Sequence, residues 1–197
     1  MKIRIKFSKQ GAVRFIGHLD VMRYFQKAFR RAEIPISYSQ GFSPHQLMSF
    51  ASPLGIGLSS DAEYLDITLD NCDSPDIMIE RMNREMNEEI RVTGFTCLRE
   101  DAKSSMAMLA ACDYLIAVKP DHTSFLQQEN VRNDLVKKLM AQDTVEILKK
   151  TKRSEKLVDI RENIYYLTGE EKEFAGLTGN KYQDSCLDHS YYQPVLF

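Results

Sequence analysis

Two stretches near the start of the chain hold the side chains best suited to chemistry: Arg14-Phe15-Ile16-Gly17-His18-Leu19-Asp20 and Ser39-Gln40-Gly41-Phe42-Ser43-Pro44-His45. Histidine is the side chain most able to exchange protons near neutral pH. His18 and His45, beside a cation such as Arg14 or Arg23, are therefore candidate catalytic groups for cleaving RNA without a metal. One ring would take the 2′-hydroxyl proton, the other would protonate the leaving oxygen, and the cation would face the phosphate. The same residues also suit two quieter roles, structural hydrogen bonding that pins the loops and ligand binding without chemistry. On those readings His18, Asp20, Ser39, Gly41, Phe42 and His45 orient a substrate or shape the loop.

Other chemistries find no support. The phosphate-loop, dinucleotide, zinc-protease and serine-hydrolase signatures are absent. Cys72, Cys97, Cys112 and Cys186 are spaced 25, 15 and 74 residues apart, which fits no metal or redox motif and points to reduced, structural thiols. No metal site is expected. The acidic pairs Asp61/Glu63 and Glu170/Glu171 read as solvated surface, and Tyr165-Tyr166 and Tyr191-Tyr192 as packing or tail residues.

Charge is divided unevenly along the 197 residues. Residues 1–50 hold nine Lys and Arg against Asp20 and Glu33, a balance of +7, which leaves −9 for the rest of a chain whose net charge is −2. Such a division points to a polyanionic partner, or else to two parts of one domain that attract each other. Arg14, Arg23, Lys27, Arg30 and Arg31 are the candidate phosphate-binding residues. With the basic strand before them and Tyr24, Tyr38 and Phe42 as stacking candidates, they would form an RNA-binding surface.

The elements that must position these residues follow from periodicity. Ile3, Ile5 and Phe7 alternate with Lys2, Arg4 and Lys6, which predicts a strand with a basic solvated face. A helix from about His18 to Glu33 places Val21, Met22, Phe25, Ala28, Phe29 and Ala32 on one arc and the basic residues opposite. Pro35 ends it. Short strands are expected at Ile36–Ser39 and Glu63–Leu69, with Leu65, Ile67 and Leu69 inward and an irregular stretch between them. Ser74-Pro75 opens a helix to about Glu89, and Arg91–Leu98 forms the next strand. Beyond a polar connector come a strand at Asp113–Lys119, a helix at Ser124–Ala141, a strand at Thr144–Lys149, a turn near Lys152-Arg153-Ser154 and a strand at Leu157–Leu167.

The fold class is therefore α+β, with two ferredoxin-like (βαββαβ) halves. Residues 1–99 form the basic half and residues 106–168 a second (βαββ) that is either incomplete or irregularly closed. Residues 169–197 form an irregular tail. No apolar run approaches the roughly 20 residues of a spanning helix, and the N-terminus is not signal-like, so a cytoplasmic protein without membrane association is expected.

The run Arg14-Phe15, Gly17-His18-Leu19-Asp20, Arg23, Ala28, Arg30-Arg31-Ala32, Pro35, Ser39, Gly41-Phe42-Ser43-Pro44-His45, Ser49-Phe50-Ala51 and Pro53-Leu54, extended by Glu63-Tyr64-Leu65-Asp66 and Val158-Asp159-Ile160-Arg161, resembles the uncharacterised bacterial radical SAM-linked protein family, a domain of unknown function. The resemblance implies a bacterial, cytosolic protein associated with radical SAM enzymes. A C-x-x-x-C-x-x-C motif is absent, so this chain would hold no cofactor, and any iron–sulfur cluster and S-adenosylmethionine would belong to a radical SAM partner. The function expected is an RNA-binding or substrate-presenting module, more an accessory than an enzyme on its own, acting with that partner on RNA or ribonucleoprotein. The alternatives are a metal-independent ribonuclease or RNA-modifying enzyme using His18 and His45, and a protein–protein adaptor.

Overall fold

The computed structural model describes residues 1–116, 128–151, 154–169 and the strand 190–196. The chain divides into two compact units, Met1–Ala117 with His189–Phe197, and Val118–Asp188.

The first unit begins with β1 (Lys2–Lys9), a 3₁₀ turn (Gly11–Phe15) and α1 (His18–Arg31). It continues through β2 (Met48–Phe50), β3 (Ser59–Thr68), α2 (Pro75–Arg84), β4 (Ile90–Cys97), α3 (Ser105–Met108) and β5 (Leu109–Ile116). β1 is antiparallel to both β3 and β4, and β2 is antiparallel to β3, so four strands run in the antiparallel order β4-β1-β3-β2. β8 (Ser190–Leu196) pairs parallel with the first residues of β3 and antiparallel with β5.

Period-two and period-3.6 patterns converge on one core. Ile3, Ile5 and Phe7 of β1, Leu65 and Ile67 of β3, and Val92 and Phe95 of β4 meet Val21, Phe25, Ala28 and Phe29 of α1 and Met78 and Met82 of α2. Phe25 stands edge-on to Phe7 at 4.8 Å and to Phe50 at 5.9 Å between ring centroids. The opposite face of β1 is not the wholly solvated basic surface expected. Arg4 faces Asp66 in the β1–β3 register and is only 8% exposed, because α3 and the segment before it close over the pair.

Several boundaries differ from the periodicity. Residues 36–39 form isolated bridges, Ile36 with Leu69 and Tyr38 with Gln46, and the strand itself lies later at β2. α2 stops at Arg84 because the Asn83 side chain turns back to bond both the N–H and the carbonyl of Val92. β5, placed by periodicity in a second half, pairs instead with β8, which lies in the stretch expected to be an irregular tail. Of the cysteines, Cys97 is exposed and Cys72 and Cys112 are half-buried, while Cys186 lies outside the described residues. No helix among the described residues is long and apolar enough to cross a membrane.

The second unit contains α4 (Glu129–Met140) and a hairpin of β6 (Glu146–Lys150) with β7 (Glu155–Asp159). The expected strand to Leu167 ends at Asp159, whose carboxylate accepts the N–H groups of Val145 and Arg161 and turns the chain into a 3₁₀ turn, Arg161–Asn163. The turn residues Lys152 and Arg153, the start of the expected helix at 124–127 and the acidic pair Glu170/Glu171 lie outside the described residues.

The turn into α1 is fixed from β4's side. Gly11 has φ +58°, and the Glu89 carboxylate accepts the N–H groups of Ala12 (2.9 Å) and Val13 (3.2 Å). A Cβ at Gly11 would collide with Glu89. Gly11→Ala is expected to destabilise the protein by about 1–3 kcal/mol in urea unfolding, since a left-handed residue alone costs roughly 1–2 kcal/mol. A change under about 0.5 kcal/mol would show that Glu89 does not fix this turn.

Candidate functional site

α1 carries the basic stripe as expected, but its members are not equivalent. Arg31 is held by Glu85, through Nε to Oε2 at 3.2 Å and Nη2 to the carbonyl at 2.6 Å. Arg14 is half-buried, its guanidinium 4.7 Å above the Phe15 ring. Arg23 makes an exposed 3.3 Å pair with Asp20, of the kind worth under about 1 kcal/mol. Lys27 and Arg30 are exposed and make no ion pair among the described residues. Spacings of four and three residues align Arg23, Lys27 and Arg30 along α1.

The second cluster is a pinned loop. Ser39 Oγ and His45 Nδ1 are 2.8 Å apart, the His45 N–H donates to Ser39 Oγ, and the Ser39 N–H donates to the His45 carbonyl. Gly41, at φ +112°, allows the sharp turn, and Phe42 at its tip is fully exposed. Gln46 ties the loop to α1, its Nε2 donating to the Gln26 carbonyl at 3.3 Å and to Tyr38 Oη. Gln26 stands three and four residues from Arg23 and Arg30, so the loop is anchored to the helix that carries the basic stripe. Tyr38, whose hydroxyl accepts from Gln46, is 45% exposed. Tyr24 is not a stacking group, since it is half-buried and its hydroxyl accepts the Asn87 N–H.

His18 and His45 are not brought together. His18 opens α1, its ring edge-on to Phe50 at 4.9 Å, while the His45 loop docks at Gln26, about 12 Å farther along the helix at about 1.5 Å per residue. What His18 does join is a cavity of about 10 Å³ lined also by Phe7, Lys9, Val21, Phe50, Ser52, Leu54 and Glu63. Lys9 is 1% exposed and Glu63 3% exposed. Lys9 Nζ donates to the carbonyls of Ile16 (3.2 Å) and Arg14 (3.4 Å), holding the loop that leads into α1. Burial lowers its pKa, and the Glu63 charge opposes that shift. Glu63 Oε1 has no hydrogen-bond partner among the described residues. Burial pushes the Glu63 carboxyl up to about 7, against the pull of the Ser60 hydroxyl and the Lys9 ammonium.

Residues 2–189 match the model of a family described as an uncharacterized protein conserved in bacteria (DUF2344). The chain belongs to that family. No curated protein matches its sequence.

In this DUF2344 chain the pair Asp61/Glu63 is thus not the solvated surface expected. Glu63 is buried, and the half-buried Asp61 accepts a hydrogen bond from Gln10. Lys9 and Glu63 are the residues that motif spacing alone does not single out. The signal lay in phase: Lys9 continues Ile3, Ile5 and Phe7, and Glu63 precedes Leu65, Ile67 and Leu69, so both fall on the inward face. Among the described residues no three His, Cys, Asp or Glu side chains are grouped to hold a metal.

Proposed function

We propose that the chain is an RNA-binding, substrate-presenting module of the bacterial cytoplasm, and that it binds single-stranded RNA along α1. One observation carries the reading: a fully exposed Phe42 stands at the tip of a loop pinned to α1, the helix that carries Arg23 and the exposed Lys27 and Arg30, and the last two make no ion pair among the described residues. A cationic helix face together with an exposed ring on a loop docked to the same helix suits phosphate contact with base stacking. The antiparallel order β4-β1-β3-β2 with α1 and α2 supports a ferredoxin-like reading of residues 1–99. The resemblance of the first seventy residues to radical SAM-linked proteins supports a partner of that class, which would supply the iron–sulfur cluster and S-adenosylmethionine.

Fluorescence anisotropy with a labelled single-stranded RNA, titrated with salt, tests the interface. Lys27→Ala/Arg30→Ala is expected to weaken binding and to reduce the log–log salt slope by about 1.4, at about 0.7 for each phosphate that is no longer neutralised. Phe42→Ala is expected to cost about 1–3 kcal/mol with the slope unchanged. Absence of binding at low salt would overturn the reading and favour a protein surface as the partner.

A further inference from the structure

Among the described residues, Glu63 Oε1 is the carboxylate oxygen that is fully buried without a hydrogen-bond partner, and it lines the cavity beneath His18. An unpaired buried acceptor costs about 1–3 kcal/mol, so a group that pairs with it there recovers free energy. The cavity's volume of about 10 Å³ admits one water-sized group. Phe7, Val21, Phe50 and Leu54 make its apolar walls, while Glu63, Ser52, His18 and Lys9 supply the polar atoms. His18, Ser52 and Leu54 are half-buried, which places the mouth between the start of α1 and the 52–54 segment.

The chemistry of the occupant follows from its neighbours. A cationic donor would meet the ammonium of Lys9, two of whose three hydrogens already serve the carbonyls of Arg14 and Ile16. A neutral hydroxyl meets no such opposition. It donates to Glu63 when the carboxyl is ionised and accepts from it when protonated, which suits an acid that burial holds near neutrality. We propose that the Glu63 cavity is a subsite for one neutral hydroxyl group and, resting on the RNA reading above, that it takes the ribose 2′-hydroxyl of a bound nucleotide. That group is both donor and acceptor, and it is what separates RNA from DNA at a given position.

The test compares one sequence as single-stranded RNA, DNA and 2′-O-methyl RNA, binding to the full chain by anisotropy. The intact protein is expected to prefer RNA over both analogues by about tenfold or more, the equivalent of one buried hydrogen bond. In Glu63→Leu, RNA affinity is expected to fall to that of DNA. The analogue comparison needs no variant, so it decides the matter even if Glu63→Leu does not fold. Equal binding of RNA and DNA by the intact protein, or a preference that survives Glu63→Leu, would overturn the subsite and leave the α1 interface standing. Binding of none of the three would overturn the RNA reading and the subsite with it.

Discussion

Asp66→Ala is expected to cost roughly 3–5 kcal/mol of folding stability, the penalty for leaving a buried charge without its counter-ion. Arg4 lies under the turn into α3, and each of its three guanidinium nitrogens has a partner. Nε donates to Asp66 Oδ1 at 2.8 Å, Nη2 to Oδ2 at 3.0 Å and to the Lys103 carbonyl at 3.0 Å, and Nη1 points at Met108 Sδ at 3.3 Å. The same carboxylate accepts the Ser105 N–H at 2.6 Å, so one deletion strands a cation and a backbone donor together. Removing both charges in Arg4→Met/Asp66→Leu is expected to cost much less than Asp66→Ala, because apolar residues of similar volume avoid the desolvation that the pair must offset. Urea unfolding of the three proteins decides it. A double variant as unstable as Asp66→Ala would mean that shape, and not charge pairing, holds this face of the sheet.

The second large effect is a pH dependence with an unusual sign. The Glu63 carboxyl is raised from 4.5 to about 7 in the folded chain, so the folded state binds this proton more tightly than the unfolded state. The contribution is fully present below about pH 4.5 and is lost as pH climbs towards 7, about 3 kcal/mol in all at about 1.4 kcal/mol per pH unit. Lys9 and Ser60 favour the ionised form and keep the shift from being larger. Other carboxylates titrate in the same range, so the difference between the natural chain and Glu63→Gln isolates this one. A neutral amide stands in for the protonated acid. The variant is expected to match the natural chain near pH 4.5 and to exceed its stability by roughly 3 kcal/mol near pH 8. A difference that does not change with pH would show that Glu63 is solvated.

Local patterns were legible wherever burial followed them in phase. Alternation marked β1, the arc of Val21, Phe25, Ala28 and Phe29 marked α1, and Ser74-Pro75 marked the start of α2. The loop from Ser39 to His45 was legible as a turn because its glycine and proline stand in one short stretch, and the pairing of Ser39 with His45 closes it. β2 was not legible, because three residues beside Pro53 and two glycines are too few to display a period. Nor was the pairing of β5 with β8, in which the partner is more than seventy residues away.

The sequence by itself determined the basic stripe on α1, the turn-rich loop that carries Phe42, and the inward phase of Ile3, Ile5 and Phe7 in β1 and of Leu65 and Ile67 in β3, because these depend on spacing along one element. Tertiary structure alone decided which charges are available. The β1–β3 register sets Arg4 opposite Asp66, Glu85 engages Arg31, and Lys27 and Arg30 stay exposed, with no ion pair among the described residues. It also made Glu63 a buried acid instead of a surface one. Spacing fixes the direction in which a side chain points, but its charge and partners depend on the dielectric around it, and distant segments packed above the sheet supply that.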